Sequence, residues 1–211
     1  LDLGCGGGKI CYIASQIVGP EGAVIGVDMT PDMLALARGH QQSMAEKIGW
    51  ANTVFYRGQI ENLKLDLDKL DGWLENNQVS NVESMQAMQA EATRLENEET
   101  MVADGGVDVV VSNCVLNLVA PHLKHKLFDE IYRVLKPGGR AVISDIVSSA
   151  RVPEEMQKDS ELWSGCISGA LEETDFMQAF VEAGFVGVTS VVRQQEAWQT
   201  VNDIEFRSLT V

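Results

Sequence analysis

Two kinds of apolar pattern alternate along the chain: short continuous apolar runs of strand length, and longer stretches with apolar residues three and four apart. Residues 1–3 read as the end of a buried strand, followed by the turn Gly4-Cys5-Gly6-Gly7-Gly8 and a helical run over 10–18. After Gly19-Pro20-Glu21-Gly22, residues 23–28 form a second strand closing on Asp28. Thr30-Pro31 then fits a helix N-cap with proline at the first helical position, continued by Met33, Leu34 and Ala37. Residues 53–56 read as a third strand and 107–112 as a fourth, the latter apolar enough for burial on both faces. A helix over 123–135 stops at Lys136-Pro137-Gly138-Gly139, and a fifth strand follows over 141–147. Helices near 154–163 and 173–183 and strands near 186–192 and 204–211 complete the pattern. Strands and helices alternating in this order predict an α/β fold: a doubly wound, mostly parallel, Rossmann-like sheet in three layers.

One segment breaks the alternation. Residues 63–105 hold ten acids and three bases, a local charge of −7 out of −15 for the chain. Its stretch 85–99 has good helix formers and neither Gly nor Pro, so an acidic helical insertion is expected, serving as a solvated lid or as packing on the sheet edge. The rest reads as a single domain over 1–211, since 211 residues with 45% apolar side chains can bury one core of ordinary size. Leu1 opens the chain inside an apolar run, which reads as a fragment lacking segments at both ends.

Charge and cysteine usage narrow the function. With 16 Lys and Arg against 31 Asp and Glu, the chain lacks the basic surface that nucleic acid requires. No run of 18 apolar residues suggests a membrane span. Cys5, Cys11, Cys114 and Cys166 have neither disulfide-scaffold density nor Cys-x-x-Cys spacing, and so are expected as reduced thiols in a cytoplasmic protein.

The glycine turn is the first candidate site. In an open parallel sheet the ligand lies beyond the carboxyl ends of the strands, and glycines let it approach the backbone. The spacing Gly4-x-Gly6-x-Gly8 is shorter than the dinucleotide fingerprint, and Lys9-Ile10 lacks the Ser or Thr of a Walker loop. Asp28, twenty residues past Gly8, stands where a carboxylate accepts both ribose hydroxyls of an adenosine.

Together, Leu1-Asp2-Leu3-Gly4-Cys5-Gly6-Gly7-Gly8, Asp28 and Leu135-Lys136-Pro137-Gly138-Gly139 resemble the class I S-adenosylmethionine-dependent methyltransferases, over about residues 1–62 and 106–147. The resemblance implies S-adenosyl-L-methionine as cofactor. Asp2, Gly4, Gly6 and Gly8 would receive its methionine part and Asp28 its ribose, while Met29, Ile60 and Glu61 would flank adenine and Asn113 would lie near the methionine end.

The acceptor is addressed by the cysteines. In the usual strand order the first and fourth strands are neighbours, which predicts that Cys11 and Cys114 emerge on the ligand side within reach of one another, with the Cys166 segment folding over the same mouth. Three soft thiols suit a thiophilic centre such as trivalent arsenic, whose lone pair is then the nucleophile. Taken singly, each cysteine also fits a small core filler, the reading kept for Cys5. Lys9-Ile10-Cys11-Tyr12, Val27-Asp28-Met29-Thr30, Ser112-Asn113-Cys114-Val115-Leu116-Asn117-Leu118 and Leu162-Trp163-Ser164-Gly165-Cys166-Ile167-Ser168-Gly169-Ala170-Leu171 resemble arsenite methyltransferases. That resemblance implies Cys114 and Cys166 as the main arsenic(III) ligands and Cys11 as the third thiol and redox partner. It also implies reduction by an external thiol system such as thioredoxin or glutathione. The acidic insertion, an absent upstream segment with a further cysteine and an absent downstream arsenic-binding domain depart from the better-known members. Two alternatives stay open: a methyltransferase of a small organic acceptor, and a metalloid-binding protein without turnover. His122 and His125, three apart, read as a solvated helix face because no third ligand accompanies them, and Trp163 and Trp198 as core or lid aromatics.

Overall fold

A computed structural model describes residues 1–211. Contacts divide the chain into two compact units, Leu1–Gly106 and Val107–Val211.

In the first unit β1 (Asp2–Leu3), α1 (Lys9–Val18) and β2 (Val24–Asp28) form the predicted strand, glycine turn, helix and strand. Helices α2 (Pro31–Gly39) and α3 (Gln41–Ile48) lead to β3 (Thr53–Arg57). The ladders are parallel, with Leu3 opposite Val27 and Val27 opposite Tyr56. Cys5, Cys11, Tyr12, Val24, Leu34, Ala37 and Phe55 make the core against which α1 and α2 close. Helix α1 buries Cys11, Tyr12 and Ser15, spaced for one helical face, while Ile10, Ile13 and Ile17 are exposed. Thr30 occupies the N-cap position of α2 with Pro31 behind it, but its side chain makes no capping bond.

The segment between β3 and the end of this unit holds two helices, α4 (Leu67–Leu74) and α5 (Val82–Glu98). Asp66 starts the first by accepting from the amides of Asp68 and Lys69, and Asn81 with Ser84 starts the second as a reciprocal capping box. Amides of Met101 and Val102 donate to the carbonyls of Lys64 (2.8 Å) and Leu63 (2.9 Å), closing the neck of the excursion. Most of its surface is exposed, as its charge requires.

The second unit starts with β4 (Val107–Asn113), then two single 3-10 turns, α6 (Lys124–Val134) and β5 (Leu135–Ser148). β4 and β5 are parallel, and the register jumps from Val107–Leu135 to Val109–Arg140, so Lys136-Pro137-Gly138-Gly139 loops out of the ladder. Short helices α7 (Glu154–Gln157) and α8 (Ser160–Ser164) precede α9 (Glu173–Glu182). Strands β6 (Val192–Arg193) and β7 (Gln199–Val201) both pair antiparallel with β8 (Ile204–Thr210), whose other edge pairs antiparallel with β5.

The fold is α/β with mostly parallel strands, as the alternation predicts. Three local expectations change. β4 buries Val110 and Ser112 but leaves Val109 44% exposed, because the face that carries it, shared with Val142 on β5, is only partly covered. The helix expected over 154–163 is two helices, because Asp159 caps the second by accepting from the amides of Glu161 and Leu162. The strand expected over 186–192 shortens to Val192–Arg193: Gly184 and Gly187 hold positive φ ahead of it, and just before it the Val191 amide donates to the Thr210 carbonyl of β8 at 2.8 Å.

Candidate active site

In the first unit the glycine turn follows β1 directly. Amides of Gly4 and Cys5 both donate to the carbonyl of Val27, at 2.8 and 3.0 Å, which folds the turn over the end of β2. Gly4, Gly6 and Gly8 have φ of 68, 51 and 80°, backbone that other residues adopt only at a cost. At Gly8 a Cβ would also meet the Phe55 ring at 2.8 Å, whereas at Gly6 nothing stands within 4 Å. The turn is closed toward the core and open above Gly6, where a ligand can reach the backbone.

Asp28 ties this turn to the following helix. One carboxylate oxygen accepts from the Gly6 amide and the other from the Thr30 amide, both at 2.8 Å. A carboxylate fixed at both oxygens still has acceptor capacity for two hydroxyls. The Asp28 carbonyl accepts from the Gly58 amide at 3.0 Å, which brings the turn 58–61 to the same strand end. Within that turn Ile60 is buried and Glu61 half-buried, while Met29, next to Asp28, is 62% exposed. Met101, at the neck of the acidic excursion, packs on Gly58: a Cβ there would meet its side chain at 2.6 Å. Nothing in the sequence pattern pointed to Met101.

Asp2, on β1, is buried, and burial raises its pKa to about 6 against the opposing hydrogen bond from Cys11. The Cys11 thiol donates to the Asp2 carboxylate at 3.4 Å. Cys11 is 0% exposed. The neighbouring Cys5 thiol, burial and the Asp2 charge push its ionisation far above the ordinary range. Cys11 packs with Cys5 in the core of this unit.

The second unit presents the other two thiols. Cys114 directly follows β4 and is exposed; Cys166, after α8, is half-buried. They are 52 residues apart in sequence, yet the Cys166 thiol donates to the Cys114 carbonyl at 3.4 Å. Both have left-handed backbone, φ 57 and 60°. For a residue with a Cβ that conformation costs about 1–2 kcal/mol, and it persists only where the surroundings over-determine it. The Cys114 thiol also lies 3.5 Å from Asn113 Oδ1, which accepts from it.

Buried polar groups hold the Cys114 loop. Asp145, on β5, accepts from the amides of Leu116 (2.8 Å) and Ile146 (2.7 Å), and Lys124 Nζ donates to the Leu116 carbonyl at 2.8 Å. Burial raises the Asp145 pKa and lowers that of Lys124 to about 8. Burial and the Asp145 charge raise both cysteine pKa values, Cys166 to about 11. Both sulfurs are thus thiols at neutral pH. No third His, Cys, Asp or Glu joins them in a metal-holding group within this unit. His122 and His125 are exposed, in line with a solvated helix face, and Trp198 is half exposed rather than core.

An open glycine turn after the first parallel strand, with an acid fixed at the end of the next, is the arrangement by which α/β sheets hold nucleoside-bearing ligands at their strand ends. The chain belongs to the methyltransferase domain family, which it matches over residues 1–101 and 87–184. It is 38% identical over 185 residues to the arsenite methyltransferase of Aquipseudomonas alcaligenes, covering 88% of this chain and 43% of that protein. Its identity to the arsenite methyltransferase of Homo sapiens is 31% over 218 residues, covering 100% of this chain and 48% of that one. The crystal structure of an arsenic(III) S-adenosylmethionine methyltransferase from Chlamydomonas reinhardtii superposes with a TM-score of 0.73 at 30% identity, over 99% of this chain and 60% of that one. The chain thus spans less than half the length of these two sequence relatives.

Proposed function

We propose that this chain is the catalytic part of an S-adenosyl-L-methionine-dependent arsenite methyltransferase. The observation that carries the reading is the accessible pair Cys114 and Cys166, held together across 52 residues in strained backbone. Similarity to arsenite methyltransferases supports it.

When bound, S-adenosyl-L-methionine supplies an electrophilic methyl group. The open turn at Gly4, Gly6 and Gly8 with buried Asp2 receives its methionine part; Asp28 accepts the ribose hydroxyls; Met29, Ile60 and Glu61 flank the adenine, with Met101 packed behind Gly58. Asn113 belongs to the methionine end in this reading.

Cys114 and Cys166 take arsenite by exchange. Each As–S bond forms as an As–O bond breaks, and the thiol proton leaves with the departing hydroxide as water. Arsenic keeps its lone pair and is the nucleophile toward the methyl group, so positioning and exclusion of water matter more than a base. The reading uses two thiols and leaves Cys11 a packing role. Thioredoxin or glutathione fits as the reductant that keeps the pair reduced, and four free cysteines suit a cytoplasmic setting.

Mass spectrometry of arsenic species made by the full-length protein, with cofactor and a thiol reductant, tests this. Methylated arsenicals are expected from the wild type and none from Cys114→Ser or Cys166→Ser. Retained methyl transfer to an organic acceptor in both variants, without arsenic products, overturns it; so does arsenite binding without any methylated product.

A further inference from the structure

We infer that Asn117 is the positioning residue that sets the separation of the two arsenic-binding sulfurs, an inference that rests on the reading of Cys114 and Cys166 as the ligand pair. Asn117 lies three residues after Cys114 in the 3-10 turn Leu116–Leu118 and is 2% exposed. Its side-chain amide donates both hydrogens: one to the Ile146 carbonyl on β5 at 2.7 Å, the other to the Cys166 carbonyl at 3.1 Å. A planar NH2 group fixes the angle between its two bonds, so the Cys166 peptide is held at a set place relative to β5 and the Cys114 loop.

The backbone around Asn117 makes the same junction. At Gly169 a Cβ would stand 1.9 Å from the Asn117 carbonyl oxygen, so the turn carrying Cys166 rests directly on the Asn117 main chain and only glycine permits it. The Cys114 loop is immobilised from its other side by the bonds of Asp145 and Lys124 to the Leu116 peptide. The Cys166 turn is thus referenced to the Cys114 loop through Asn117, and both cysteines flanking this junction hold left-handed backbone.

The chemical consequence is specific to chelation. Once one sulfur holds arsenic, the second binds intramolecularly, with an effective concentration set by how well the sulfurs are placed. Loosening the junction lowers that effective concentration while each thiol keeps its own reactivity. No other amide is needed for this role, and Asp cannot replace it, because an acid would face two carbonyl oxygens with no hydrogens to donate.

Phenylarsine oxide, which condenses with two thiols and releases one water, is the probe. The full-length wild type, Asn117→Leu, Gly169→Ala and Cys114→Ser proteins are titrated with it against a competing monothiol. Iodoacetamide labelling of Cys114 and Cys166 and S-adenosyl-L-methionine binding are followed in parallel. The wild type is expected to hold phenylarsine oxide well above the level of Cys114→Ser. Asn117→Leu and Gly169→Ala are expected to fall by about tenfold or more toward that level, with alkylation rates within about threefold of wild type and cofactor binding kept. Wild-type retention by Asn117→Leu overturns the positioning role; if that variant does not fold, wild-type retention by Gly169→Ala does so instead. Wild type no better than Cys114→Ser overturns the ligand-pair reading and the inference with it, whereas retention lost only together with cofactor binding in both variants overturns the inference alone.

Discussion

At the residue scale the cysteines divide by environment. Cys5 and Cys11 are core thiols, while Cys114 and Cys166 are accessible and sit in left-handed backbone. Replacing Cys114 or Cys166 by glycine relieves that strain and replacing it by alanine does not. Each glycine variant is expected to be more stable than its alanine counterpart by about 1 kcal/mol in urea titrations, and both types to be inactive in arsenic methylation. Cys166, raised to about 11 by burial and by Asp145, should react with iodoacetamide about tenfold faster for each unit of pH from 7 to 10. A rate already level at pH 8 contradicts that environment. Asp2 gives an opposite kind of pH effect. Its folded pKa of about 6 lies above the 3.8 of the free side chain. The folded state therefore binds the extra proton, and the associated stability is present below pH 4 and lost as pH rises through 6. That difference is worth about 2–3 kcal/mol, and Asp2→Asn should remove this part of the stability profile.

At the element scale, local chemistry decides where helices start. Asp66 is buried and accepts two amides at the head of α4, so Asp66→Ala should cost about 1–2 kcal/mol. Hydrogen exchange should localise the loss to α4, leaving α5, with its own Asn81–Ser84 capping box, protected. Such caps also explain what was legible in the sequence. The run 85–99 predicted a helix, and α5 spans Val82–Glu98 because the cap lies just upstream. The division between α7 and α8 was equally present, in Asp159-Ser160, but the apolar spacing across 154–163 masked it. Strand β7 left no signal of its own: three residues, Gln199–Val201, become a strand only because β8 supplies partners.

At the scale of the whole molecule, the residues of the proposed function divide between the units: those for the cofactor, Asn113 apart, lie in the first and both arsenic ligands in the second. S-adenosyl-L-methionine should slow hydrogen exchange around residues 4–8 and 58–61 of the unit Leu1–Gly106, and a trivalent arsenical should do so around 113–118 and 163–169 of Val107–Val211. Protection confined to other segments would contradict the assignment. Charge is also uneven, since residues 63–105 carry −7 of the total −15, and the helices there meet that load with ion pairs such as Lys69–Glu99 and Arg94–Glu91. No helix is long and apolar enough to cross a membrane.

The sequence by itself determined the glycine turn, the acid at the end of β2 and the alternation of strands and helices. These depend on backbone freedom at Gly4, Gly6 and Gly8 and on periodicity over a few residues, which are local properties. Tertiary structure alone decided which cysteines are available. Cys11 is closed off because it lies on the face of α1 that packs against Cys5 and β2, and spacing along the chain does not specify that burial. Cys114 and Cys166 meet because one asparagine amide and one glycine without a Cβ join segments 52 residues apart, a contact set by packing rather than by any pattern in the residues between them.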